Sequence, residues 1–155
     1  MALQEGEMIP DLELVGSDGA PIRLRDFVGQ KLVLYFYPKD DTSGCTKEAQ
    51  DFSAHRAAFD AAGARLLGVS KDGPDKHRKF IDKYALTVPL ASDEPGTVLE
   101  AFGAWVEKSM YGKKYMGIER STFLFGADGR LARAWPKVKV PGHAAAVLAA
   151  VQQLS

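Results

Sequence analysis

Several kinds of chemistry are excluded by what this chain lacks. Its 155 residues include a single cysteine, Cys45, so neither an intramolecular disulfide nor a dithiol pair can form within it. A lone thiol also fits a reducing compartment. Net charge is missing as well: 20 Lys+Arg balance 20 Asp+Glu. That denies phosphate backbones and anionic lipid a broad positive field, and argues against nucleic-acid and membrane partners. The histidines His55, His77 and His143 are widely separated, without metal-ligand spacing and without a second thiol to complete a zinc site. His55 falls about 15 Å of helical rise beyond Cys45, too far to serve as the base of a Cys-His hydrolase, and reads as a surface residue. No GxGxxG order or Walker lysine motif occurs, so Gly16, Gly19, Gly126 and Gly129 are read as turn residues. The longest apolar runs, Leu32 to Tyr37 and Ala144 to Val151, fall far short of the ~20 residues of a membrane span. Met1 to Pro10 carries Glu5 and Glu7 where a secretion signal needs positive charge. A soluble, cytoplasmic protein is expected.

What is present suffices for one compact domain over residues 1–155, with 46% hydrophobic residues and enough length to bury about 70% of the unfolded surface. Asp11 to Val15 and Ile22 to Leu24 flank Gly16-Ser-Asp-Gly-Ala-Pro21 and read as an N-terminal β-hairpin. Lys31 to Tyr37 lacks polar alternation, as a strand buried on both faces would, and Pro38 stops it. Ser43 to Ala62 reads as one helix closed by Gly63, and Arg65 to Ser70 as a second buried strand. Pro74 to Tyr84 reads as an amphipathic helix with Phe80, Ile81 and Tyr84 inward and His77, Arg78 and Lys79 more exposed. A strand at Val88 to Ala91 and a short helix at Thr97 to Phe102 follow. Ser109 to Gly117 has no clear period and is expected to be a loop, with Lys113, Lys114, Tyr111 and Tyr115 solvated on it. Ser121 to Phe125 and Arg130 to Trp135 flank Gly126-Ala-Asp-Gly129 as a second hairpin, and His143 to Leu154 closes the chain as a helix. Trp105 and Trp135 are read as packing residues. The alternation defines an α/β class, with a central mixed β-sheet and helices on both faces.

Cys45 falls in the first turn of the 43–62 helix, with Thr42 or Ser43 as N-cap. There the unpaired N–H groups and the positive dipole end favour a thiolate. A single cysteine is more commonly a small buried hydrophobe. This one follows a Pro-bounded strand at the carboxyl edge of the sheet, where α/β proteins build their sites.

The segment Pro38-x-x-x-Thr42-x-x-Cys45 matches the active-site signature of the peroxiredoxins. The wider Phe36-Tyr-Pro-Lys-Asp-Asp-Thr-x-Gly-Cys-Thr-Lys-Glu48 resembles the bacterioferritin comigratory protein (PrxQ) subfamily. Phe27 with Gly29, and Gly117-Ile-Glu-Arg-Ser-Thr-Phe-Leu124, are similar to the same subfamily, so the resemblance covers nearly the whole chain. It implies a thioredoxin-like fold and a thiol peroxidase with Cys45 as peroxidatic cysteine, assisted by Thr42, Pro38 and Arg120. The loop carrying Lys113 and Lys114 lies near the active site in this subfamily. Ser43 stands where many relatives carry proline. Gln50 stands where many carry a resolving cysteine, which makes this a one-cysteine variant.

A low thiol pKa alone would not make a fast peroxidase. Lowering a thiol from ~8.5 to ~6 raises its thiolate fraction at pH 7 about 30-fold, but a Brønsted slope of ~0.4–0.5 removes roughly 13-fold in nucleophilicity. The transition state must therefore be stabilised. Thr42 can orient the peroxide, N–H groups at Gly44 and Cys45 can hold its oxygens, and the Arg120 fork can stabilise thiolate and developing oxyanion together. Pro38 has no N–H to compete and can screen the sulfur. Glu48, one turn after Cys45, can hold Arg120 through an ion pair, against the simpler reading of a solvated helix-face charge. The implied substrates are hydrogen peroxide and small organic hydroperoxides. With no resolving thiol, the reductant is external: thioredoxin, glutaredoxin or glutathione. No metal, haem or flavin is expected, and the subfamily leans to a monomer or weak homodimer. A redox sensor using the same sulfenic acid, or a binding module with a structural Cys45, are the rival readings.

Overall fold

A computed structural model describes residues 3–154. Its strands are β1 (Glu13–Gly16), β2 (Pro21–Arg23), β3 (Lys31–Phe36), β4 (Ala64–Ser70), β5 (Leu90–Ser92), β6 (Trp105–Met110), β7 (Lys113–Ile118), β8 (Ser121–Phe125) and β9 (Leu131–Trp135). Its α-helices are α1 (Ser43–Ala54), α2 (Arg56–Ala61), α3 (Pro74–Tyr84), α4 (Thr97–Ala101) and α5 (His143–Gln153). Seven strands form one sheet in the order β2-β1-β5-β4-β3-β8-β9, with β3, β4 and β5 parallel and the remaining pairs antiparallel. The expected mixed sheet is therefore present.

The central strand β3 shows why an unbroken apolar run was needed. Leu32, Leu34 and Phe36 point into one core with Val98, Leu99 and Phe102 from α4 and its C-terminal end, together with Phe123 and Phe125. Val33, Tyr35 and the following Tyr37 point into the opposite core, where Phe52 of α1, Phe59 of α2, Phe80 of α3 and Val147 and Val151 of α5 pack. Alternate residues of a pleated strand face opposite sides, so a strand covered on both faces is apolar throughout. Helices thus lie on both faces.

Three expectations are corrected. The 43–62 helix is broken at His55 (φ −96°, ψ 2°) into α1 and α2. Residues 109–117 are not a loop but most of a hairpin, β6 paired with β7, turning at Tyr111 (φ +51°) and Gly112 (φ +77°). A two-residue turn with both φ values positive matches the right-handed twist of paired strands. Its residues are mostly exposed, so no polar–apolar alternation marks it in the sequence. His77 is not exposed; it is fully buried. Among the described residues no helix is long and apolar enough to cross a membrane.

Candidate active site

β3 delivers the chain to the site. Tyr35 on β3 lies over Gly68 on β4, where an added Cβ would stand 2.6 Å from its ring. From there Tyr35 stacks on Phe52, with centroids 4.6 Å apart. Phe52 belongs to α1, so this stack seats the helix that carries Cys45. Burial first, and then the charge of Glu48, raises the Tyr35 phenol well above its ordinary value.

Pro38 ends β3 and is itself exposed, as is Thr42, the N-cap of α1. The Thr42 side chain does not cap the helix. Its hydroxyl donates to the Lys39 carbonyl at 2.8 Å. The first helical bond runs from the Thr46 N–H to the Thr42 carbonyl. The N–H groups of Ser43, Gly44 and Cys45 therefore precede the helical ladder, as at any helix start.

Cys45 is buried, with 2% of its surface exposed. Arg120, between β7 and β8, reaches across from a position 75 residues away in sequence. Its Nη2 donates to Cys45 Sγ at 3.2 Å and its Nη1 donates to Glu48 Oε1 at 2.7 Å. Burial disfavours the charged form of Arg120, yet the Glu48 carboxylate and then the Cys45 sulfur hold its pKa above the ordinary arginine value. A cation placed this way favours negative charge on the atom it touches. Gly44 makes the approach possible, because a Cβ there would stand 3.2 Å from Arg120 Nη2. Glu48 is not a solvated charge. It is 1% exposed, and burial pushes its carboxyl up to about 7 against the opposing pull of Arg120. His143, at the start of α5, stands edge-on to Phe52 and lies 2.8 Å from the Thr122 hydroxyl; burial and then Arg120 lower it to about 4. His55, expected at the surface, is half-buried.

Other polar residues behind this loop escaped the sequence reading. Asp40 is buried and lies 2.6 Å from His77 Nδ1. Asp41 takes a left-handed conformation (φ +60°) and accepts bonds from Lys83 Nζ at 2.7 Å and from the Tyr84 hydroxyl. Both aspartates stand inside the motif itself. His77 shares a helical face with Phe80, Ile81 and Tyr84, and that spacing was the available signal. Among the described residues no group of three or more His, Cys, Asp or Glu is placed to hold a metal ion.

A thioredoxin-like sheet that sets one thiol at a helix start against a guanidinium defines the thiol-dependent peroxidases. The AhpC/TSA family pattern matches residues 6–134. Peroxiredoxin Bcp of Bacillus subtilis is 46% identical over 100% of this chain and 99% of its own length. Peroxiredoxin Bcp of Xanthomonas campestris is 51% identical over 92% of this chain and 89% of its own. A solved Xanthomonas campestris Peroxiredoxin Q superposes with a TM-score of 0.90 at 49% identity, covering 97% and 95% of the two chains. Another structure concerns the alkyl peroxide reduction activity of the Xanthomonas campestris bacterioferritin comigratory protein, with a TM-score of 0.90, 48% identity, and coverage of 97% and 96%. The chain belongs to the AhpC/TSA family, on its Bcp/PrxQ peroxiredoxin branch, as a one-cysteine variant.

Proposed function

We propose that this peroxidase uses Cys45 as its nucleophile toward hydrogen peroxide and small organic hydroperoxides, and an external thiol as reductant. The observation that carries the reading is the Arg120 guanidinium, bonded at once to the Cys45 sulfur and to the Glu48 carboxylate. The thiolate attacks the near oxygen of the peroxide, and the S–O bond forms as the O–O bond breaks. Sulfur is oxidised by two electrons, and the far oxygen leaves as hydroxide or alkoxide and takes up a proton. Cys45 is left as sulfenic acid.

Negative charge moves from sulfur to the departing oxygen during this step, and fixed donors beside that path lower the barrier. Arg120 supplies one, and the N–H groups of Gly44 and Cys45 supply others. The Thr42 hydroxyl donates its hydrogen bond to the Lys39 carbonyl, so its lone pairs are left to accept a peroxide O–H and orient it. Pro38 screens the site without an N–H of its own, and Glu48 keeps Arg120 aimed. One external thiol then condenses with the sulfenic acid, releasing water and leaving a mixed disulfide; a second thiol frees Cys45. Thioredoxin, glutaredoxin and glutathione are the candidate reductants. The protein would work in the cytoplasm as a monomer or weak homodimer.

Intact mass after one equivalent of hydrogen peroxide tests the assignment. The reduced protein should gain one oxygen and lose it again on adding excess thiol. The same gain in Cys45→Ser would move the nucleophile elsewhere and contradict the reading.

A further inference from the structure

A buried polar cluster centres on Asp40, in the loop between β3 and α1. His77 Nε2 lies 2.9 Å from the Ala91 carbonyl on β5, and Nδ1 lies 2.6 Å from Asp40 Oδ2. Through these two contacts the ring bridges the sheet to the loop. The Tyr37 hydroxyl donates to the other Asp40 oxygen at 2.5 Å. The Asp40 N–H donates to Asp72 Oδ2 at 2.7 Å, and that oxygen also takes the Ser70 hydroxyl at 2.8 Å. Burial would raise the Asp72 carboxyl, but these donors and Lys76 hold it below its usual range.

We propose that His77 is a positioning residue for the peroxide step, acting through Asp40 to fix the 38–42 loop and hence the Thr42 hydroxyl. The inference rests on the roles of Cys45 and Thr42 given above. Asp40 directly follows Lys39, whose carbonyl holds the Thr42 hydroxyl, and is separated from Thr42 by the left-handed Asp41. Rotation of Asp40 would carry both ends of that hydrogen bond with it. The Asp41 contacts with Lys83 and Tyr84 tie the same loop to α3, but they are exposed, and exposed pairs hold geometry weakly. The Asp40 and His77 side chains are fully buried. A buried polar pair is often no better for stability than apolar residues of the same volume. Its worth here is in direction: a carboxylate bound at both oxygens has one orientation.

The test compares two reactions of Cys45, with hydrogen peroxide and with iodoacetamide. Alkylation needs the nucleophile but not an oriented O–O bond. His77→Leu should lose about 10- to 100-fold in peroxide rate, the scale of a small misplacement, while its alkylation rate stays that of wild type. His77→Asn, whose amide N–H sits where Nδ1 was, should recover most of the peroxide rate. The losses of His77→Leu and Asp40→Ala should combine to less than their product in the double variant, because the two residues share the His77–Asp40 contact. The inference is overturned if folded His77→Leu reduces peroxide at the wild-type rate, if both rates fall together, or if His77→Asn is as slow as His77→Leu. Should His77→Leu not fold, Asp40→Ala alone decides: it must show the peroxide-specific loss. A wild-type protein no faster with peroxide than a free thiol would instead defeat the peroxidase reading beneath it.

Discussion

Replacing Arg120 with methionine should damage catalysis at every pH but stability mainly at high pH. Removing a single donor that stabilises developing negative charge costs about 100- to 1,000-fold in rate. Breaking a buried ion pair ordinarily costs about 3–5 kcal/mol as well, because the surviving charge is stranded. Glu48 has an escape from that penalty. Burial already pushes its carboxyl up to about 7 with the guanidinium 2.7 Å away, and removing the guanidinium moves it further up. At neutral pH the variant therefore holds Glu48 protonated, and the penalty shrinks toward that of lost hydrogen bonds, about 1–2 kcal/mol. The sign of the pH dependence follows from proton counting. The folded variant keeps a proton that the unfolded chain, with its carboxyl near the ordinary value of 4.5, has released. Stability then falls as pH rises, by about 1.4 kcal/mol per unit, until the folded carboxyl ionises. In the wild type this group's share of that fall is confined to the interval between 4.5 and about 7, so the two proteins diverge above it. Urea unfolding from about pH 6 to about pH 9 reads the divergence. A stability gap that stays constant over that range would refute the reasoning, as would a peroxide rate within tenfold of wild type.

Further outcomes follow from the same geometry. Gly44→Ala places a Cβ 3.2 Å from Arg120 Nη2 and forces the guanidinium to shift, while alanine favours the helix by up to about 1 kcal/mol. Thermal stability should hold or rise as the peroxide rate falls several-fold, and an unchanged rate would contradict the tight fit. Gly68→Ala puts a Cβ 2.6 Å from the Tyr35 ring and 2.9 Å from Leu90 Cδ2. Overpacking of this kind costs about 1–3 kcal/mol, so an unmoved urea midpoint would refute it. With no second thiol to trap its sulfenic acid, Cys45 should pass readily to sulfinic acid in excess peroxide. Intact mass would show a second oxygen, and resistance to it would show that the sulfenic acid is protected another way.

Much of the scaffold could be read from residue order, because its signals are local. The unbroken apolar run of β3, Pro74 at the start of α3 and the glycines of the two sheet hairpins each carry their own physical reason. The β6–β7 hairpin could not be read this way. Its strands bury little and so impose no alternation, leaving the positive φ values of Tyr111 and Gly112 as its only mark. The break at His55 is similarly silent in composition. At the site, Cys45 and Thr42 stand in one short segment, whereas Arg120 arrives from 75 residues away; only the family resemblance linked them. His77 stands in the sequence beside the charged Arg78 and Lys79, and its immediate neighbours do not mark it as buried. Its burial depends on Asp40 and Ala91 lying opposite, which is a tertiary fact.

The central claim, that Cys45 in the cradle of Arg120 and Thr42 reacts with peroxide far faster than an ordinary thiol, is tested most directly by stopped-flow. Pre-reduced protein would be mixed with hydrogen peroxide and followed by tryptophan fluorescence, with Cys45→Ser as control. The account predicts a second-order rate constant orders of magnitude above that of free cysteine, absent in the control. A rate equal to that of free cysteine would mean that the cradle confers no catalysis, and would contradict it.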